Sequence, residues 1–279
     1  MASASDGGGP EAAGGPAAEY LDFPGGRVHL LRGGDGPPLL FLHAAGGAGQ
    51  WLEFHSLLAR HFEVIAPDHP GFGKSDELPE VEDMSDLVYH YLDVLDRLGL
   101  ERPYLVGGSF GGWIAAELAV AAPHRVGGLV LLGAAGLRLP GHPVADLFLM
   151  APPQLAQTLF HDPDKAAGPG PAEPTVDDII AGYRDATALA RFCWVPFLAN
   201  PKLERRLRRI TAPTLVAWAD SDRLIPIEHG HRYAELIPRS RFTVVTDCGH
   251  AMYFERPAEF AALTADFLTD GAGLNGAGR

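Results

Sequence analysis

The chain has 279 residues, 47% of them hydrophobic, with 22 Lys and Arg against 35 Asp and Glu and a formal net charge of −13. That length is enough to bury one large core, and the acidic balance argues against nucleic acid and anionic membranes as partners. No apolar run reaches the ~18 residues a membrane span needs, and the two cysteines, Cys193 and Cys248, make no disulfide framework, so a reducing cytoplasm is the expected compartment.

Residues 1–18 are rich in Gly, Ala and Pro and carry neither a basic n-region nor an apolar h-region; they are expected to be a disordered tail rather than a secretory signal. Seven runs then read as strands: "RVHLL" (27–31), "PLLFLH" (38–43), "FEVIAP" (62–67), "PYLVGG" (103–108), "GLVLLG" (128–133), "PTLVAWA" (213–219) and "FTVVTD" (242–247). Several are continuously apolar, as parallel strands covered on both faces should be. Amphipathic segments lie between them. In "MSDLVYHYLDVLDRLGL", Leu87, Tyr91, Val94, Leu95 and Leu98 recur at helical spacing, and Gly99 suits a C-terminal cap. This alternation predicts a mostly parallel α/β sheet with helices on both faces.

Residues 137–209 break the rhythm. They offer no strand, only helical pieces ("VADLFLMAP", "QLAQTLF", "TVDDIIAGYRDATALARFCWVPFL") separated by Pro-rich joints. That is too long for an ordinary crossover and reads as a helical lid inserted into a core formed by 19–136 and 210–270. Phe148, Leu155, Leu159, Phe160, Phe192, Trp194 and Phe197 give the insertion apolar surface. Residues 271–279 read as a second disordered tail.

The chemistry gathers around "YLVGGSFGGW". Gly107-Gly108-Ser109-Phe110-Gly111 fits G-x-S-x-G and stands where a strand turns into a helix, the context that motif requires. The glycines remove side chains that a tight turn would drive into its neighbours, and the helix start turns free N–H groups toward Ser109. A serine hydroxyl needs a base. His250, in a loop past the last strand and next to Gly249, is the best placed of twelve histidines. His43 is better suited to supporting the loop it opens. "EHGH" (228–231) reads as a solvated helix start rather than a metal site, and no metal is expected. An orienting acid follows the penultimate strand in "WADSDRLIP", as either Asp220 or Asp222, giving the order Ser…Asp…His. Cys248 reads as a small loop residue. "GFGKS" (71–75) is no phosphate loop, because the glycine that motif needs is Asp68.

From about residue 20 to 268 the chain resembles α/β-hydrolases of the proline-iminopeptidase, esterase and meta-cleavage-product-hydrolase type. The matching segments are "FLHAAGG", "APDHPGFGKSD", "VGGSFGGW", "PTLVAWADSDRLIP" and "DCGHAMYFERP". The resemblance implies an eight-stranded sheet, and its pattern G-x-x-D-x-x-x-P, falling on Ala219, Asp222 and Pro226, selects Asp222 as the acid. It also implies an oxyanion hole from the backbone N–H groups of Ala45 and Phe110, although His43-Ala44 stands where His-Gly is usual. A small-molecule substrate is expected, with no cofactor, and a monomer or homodimer. The implied activity is hydrolysis of a carboxylic ester of a small to medium hydrophobic substrate through an acyl-enzyme. Carbon–carbon bond hydrolysis of the meta-cleavage-product type ranks second, because those enzymes commonly carry Trp where this chain has Ala251. A non-hydrolytic binding or lyase role is the alternative of another class. Arg191 and Trp194 lie near where meta-cleavage hydrolases place lid residues that contact substrate.

Overall fold

In chain order the secondary structure begins with three strands, β1 (Ala17–Phe23), β2 (Gly26–Gly33) and β3 (Pro38–Leu42), followed by α1 (Glu53–Leu58) and β4 (Glu63–Pro67). Then come α2 (Met84–Arg97), β5 (Tyr104–Gly108), α3 (Ser109–Ala121) and β6 (Gly128–Leu132). Helices α4 (Pro152–Leu159) and α5 (Val176–Cys193) precede β7 (Thr214–Ala219), α6 (Ile227–Leu236), β8 (Ser240–Val245), α7 (Met252–Glu255) and α8 (Pro257–Gly271). This computed structural model describes residues 15–164 and 175–271; most of the two expected tails and the joint 165–174 lie outside the described residues.

The strands form one eight-stranded sheet in the order β1-β2-β4-β3-β5-β6-β7-β8. Pairing is antiparallel for β1–β2 and β2–β4 and parallel from there to β8. The expected mostly parallel α/β sheet is therefore present. All seven strands read from the sequence are found. The eighth, β1, begins at Ala17, two residues inside the expected tail. It lies at the sheet edge and alternates exposed with half-buried residues, so it shows no apolar run.

Alternation along each strand divides the core in two. Leu40, Leu105, Leu129, Leu131, Val216 and Trp218 face one side, where α2, α3 and α6 pack. Leu39, Phe41, Val106, Val130, Leu215 and Ala217 face the other, against Phe54 and Leu58 of α1 and Phe260 and Leu268 of α8. Helix α2 buries Leu87, Tyr91, Val94 and Leu95 as its spacing predicts. The Asp83 side chain caps its first turn, and Gly99 takes the left-handed conformation (φ +66°) just past its end.

Among the described residues, the segment between β6 and β7 holds helices and no strand of the sheet. Its base is closed by a bridge: Gly136 N–H donates to Leu198 O at 3.0 Å, and Asn200 N–H to Gly136 O at 2.9 Å. Residues beyond this bridge pack on the core, with Leu203 and Leu207 fully buried. "VADLFLMAP" yields only a short 3-10 turn at Leu147–Leu149. Asp146 satisfies that turn at Phe148 N–H, and the prolines that open α4 follow at once. None of the described helices is long and apolar enough to cross a membrane.

Burial holds several histidines neutral. Desolvation pushes His55 down to about 3 and His90 to about 4, and lowers His43 and His69 as well. On acidification from pH 6.5 the unfolded chain takes up protons that the buried His55 and His90 rings refuse, so stability falls as pH falls, by up to about 1.4 kcal/mol per pH unit for each of these two. The melting temperature should drop between pH 6.5 and 5, above the carboxylate range. A flat profile there would show that the rings are protonated in the folded protein.

Candidate active site

The turn from β5 to α3 explains its glycines. Ser109 has φ +51°, a strained left-handed geometry for a residue with a Cβ. A Cβ on Gly111 would lie 2.0 Å from Leu42 O, one on Gly107 2.4 Å from Gly111 O, and one on Gly108 2.6 Å from the Tyr253 ring. These are contacts with backbone or with a buried ring and cannot relax cheaply. Gly111→Ala is therefore expected to destabilise the fold by about 3 kcal/mol or more, read as a loss in melting temperature; a wild-type melt would contradict this packing.

Three side chains separated in sequence meet beside this turn. Ser109 Oγ lies 2.8 Å from His250 Nε2, and His250 Nδ1 lies 2.7 Å from Asp222 Oδ2. The Asp222 side chain is fully buried and that of His250 is 6% exposed. The other carboxylate oxygen of Asp222 accepts the N–H groups of Leu224 at 3.0 Å and Ile225 at 2.8 Å. Only Oδ2 is then left for the imidazole. That arrangement puts the proton on Nδ1 and turns the Nε2 lone pair toward the serine. Asp220, the other carboxylate in the same turn, is exposed. It accepts from the Ser221 hydroxyl and the Asp247 N–H instead, and so holds the loop rather than the imidazole.

A second set of histidines supports the loop after β3. His43 is buried, accepts the His69 N–H on Nε2 at 3.0 Å, and donates from Nδ1 to Ala44 O at 2.6 Å. His69 in turn bonds His43 O at 2.9 Å and the Tyr91 hydroxyl. Ala44 N–H donates to the Tyr253 hydroxyl at 3.3 Å. His43 therefore holds the loop, as read. The next amide, Ala45 N–H, and that of Phe110 at the start of α3 have no acceptor among the described residues.

Sequence reasoning gives no role to His69, nor to Asp68, whose carboxylate accepts from His29, Gly49 and Lys74. The only signal for them is their place in the turn "DHPGFGKS". One expectation fails. His229, read as part of a solvated helix start, is buried and donates from Nε2 to His142 O at 2.8 Å. Arg191 and Trp194 are not brought to the triad. Arg191 is exposed and donates to Leu78 O, while Trp194 is 58% exposed against the Phe148 ring. Their helix α5 instead presents Phe192 to the Phe110 ring and Asp185 to Gly73 N–H. Burial pushes the Cys248 thiol up to about 12, so it is no nucleophile at neutral pH. No group of three or more His, Cys, Asp or Glu among the described residues could hold a metal ion.

Residues 39–263 match the model of the alpha/beta hydrolase family. The chain is 34% identical over 259 residues to 2-hydroxymuconate semialdehyde hydrolase of Pseudomonas sp. (strain CF600), covering 88% of this chain and 91% of that protein. It is 30% identical over 275 residues to 2-hydroxy-6-oxo-6-phenylhexa-2,4-dienoate hydrolase of Burkholderia cepacia, covering 88% and 92%. In shape it is similar to a meta-cleavage product hydrolase from Pseudomonas fluorescens IP01, with a TM-score of 0.72 at 24% identity over 90% of this chain and 97% of that one.

Proposed function

The chain belongs to the alpha/beta hydrolase family, and on that premise we propose that it hydrolyses a bond next to a carbonyl, with Ser109 as nucleophile, His250 as general base and Asp222 as the orienting acid. One observation carries the reading: the unbroken line from Ser109 Oγ to His250 Nε2 at 2.8 Å and from His250 Nδ1 to Asp222 Oδ2 at 2.7 Å. Ser109 attacks the carbonyl carbon as His250 takes its proton. Asp222 stabilises the imidazolium that forms. The N–H groups of Ala45 and Phe110 receive the developing oxyanion. The imidazolium protonates the leaving fragment, and a water activated by the same ring releases the acid. Helices α4 and α5 act as the lid over this site.

The bond cleaved is proposed to be carbon–carbon, in a substrate of the 2-hydroxy-6-oxo-dienoate class. Similarity over 88% of the chain to enzymes named for such substrates supports this. Ala251, directly after the base, favours ester hydrolysis as the second reading, since meta-cleavage hydrolases commonly carry Trp there. The two are separated by measuring kcat/KM for 2-hydroxy-6-oxo-6-phenylhexa-2,4-dienoate beside a series of p-nitrophenyl esters. Faster cleavage of the dienoate is expected. Turnover of the esters alone would reverse the order.

A further inference from the structure

The proposed base and acid stand on separate loops, and both loops close on one turn of the insertion. Glu255 in α7 is buried, at 8% exposure. Its Oε2 accepts the N–H groups of Gly249 at 2.7 Å and His161 at 3.0 Å, and its Oε1 that of Asp162 at 3.1 Å. On the other side of His250, Ala251 N–H donates to Leu159 O at 2.8 Å. The acid loop grips the same place. Arg223 donates from Nη1 to Gln157 O at 2.8 Å and Phe160 O at 3.1 Å, and Ser221 Oγ lies 3.0 Å from His161 Nδ1. Each immediate chain neighbour of His250 and of Asp222 is thus bonded to residues 157–162, Gly249 through Glu255 and the other three directly.

The chemistry of each partner fits this task. Three N–H donors converge on Glu255, and only a carboxylate accepts on both oxygens; a side-chain amide would aim a donor at one of them. The last carbonyls of α4 lack intrahelical partners, and a guanidinium there completes them and meets the negative end of the helix. Gly249 allows the close approach, because a Cβ on it would lie 2.5 Å from His161 N and 2.6 Å from Leu159 O.

We propose that Glu255 is a positioning residue for His250, acting through Gly249 N–H, and that residues 157–162 are the turn against which the base and acid loops are set relative to one another. The proposal rests on the reading of His250 as the base. It makes the reactive geometry depend on a part of the insertion that does not itself touch the reacting atoms.

The test uses the full chain, p-nitrophenyl acetate as probe, a fluorophosphonate to titrate active sites, and thermal unfolding as the control for folding. Glu255→Gln is expected to lower kcat per titrated site by ~10–100-fold, the scale of a small misplacement of a reacting group, with KM little changed. Arg223→Met should lower kcat less. The double variant should lose less than the product of the two single losses, because both act through one turn. A kcat per site that stays at the wild-type value while the melting temperature falls would make Glu255 merely structural and overturn the proposal, as would strictly multiplicative losses. Should Glu255→Gln fail to fold, Arg223→Met decides alone, since Arg223 is exposed; an unchanged kcat there overturns the shared turn. Ser109→Ala and His250→Ala run alongside. If these two keep wild-type turnover, the assignment of the base fails; if they lose it while Glu255→Gln does not, only the positioning role fails.

Discussion

Ser109→Ala should reduce turnover by about 10⁵- to 10⁶-fold while leaving the protein folded. The expectation follows from what the hydroxyl does and does not contribute. Its oxygen is the only nucleophilic atom within hydrogen-bond reach of His250 Nε2 among the described side chains. Without it the imidazole has no proton to take from the protein. Folding does not depend on it, because alanine bears the same Cβ as serine and meets the same φ of +51° at no added strain. What survives is the binding of the carbonyl and of its oxyanion by backbone amides, which sustains a residual ~10³–10⁴-fold advantage over water. Ser109→Gly extends the test. Glycine relieves the left-handed strain, so that variant should be inactive yet melt higher than wild type, by the equivalent of about 1 kcal/mol. Undiminished turnover by either variant, on esters or on the dienoate, would remove Ser109 from the chemistry.

Asp222→Asn is the second large effect, at about 10⁴-fold in kcat. The carboxylate is held in a fixed rotation by Leu224 and Ile225 N–H on Oδ1. An asparagine would keep its carbonyl oxygen on those two donors and present its NH2 to His250 Nδ1. The imidazole must then accept on Nδ1, which moves its proton to Nε2 and leaves no lone pair for the serine hydroxyl. The charge that stabilises the imidazolium is lost as well. Asp220→Asn, two residues earlier in the same loop but bonded to Ser221 and Asp247, should remain near wild type. A larger loss from Asp220→Asn would exchange the roles of the two acids.

These two residues also mark where the sequence was informative. The turn around Ser109 is legible because its glycines, its strand and its helix are contiguous. The choice between Asp220 and Asp222 is not legible from local chemistry: both are acids in one turn. Which of them reaches inward depends on the backbone donors at Leu224 and Ile225, and only the family pattern pointed to Asp222. Strand β1 escapes notice because an edge strand has little apolar surface to show. The helix read at 144–152 shrinks to one turn because Asp146 and two prolines impose a different local geometry. Glu255, Arg223 and His69 act through partners far away in the chain, at His161, Phe160 and His43, and no spacing in the sequence encodes those meetings.

The pairing of Gly136 with Ala199 has a consequence for how this scaffold diversifies. With both ends of the loop pinned, the entropy of closing it varies only slowly with the length of chain between them, by about 0.6 kcal/mol per doubling. Stretches between those anchors can therefore change in length at little cost in closure entropy, provided the residues packed on α3, such as Phe192 against Phe110, are kept in kind. A graft that replaces 137–198 wholesale should fold; one that replaces the same stretch except residues 157–162 should inherit the host's reactivity along with the donor's selectivity.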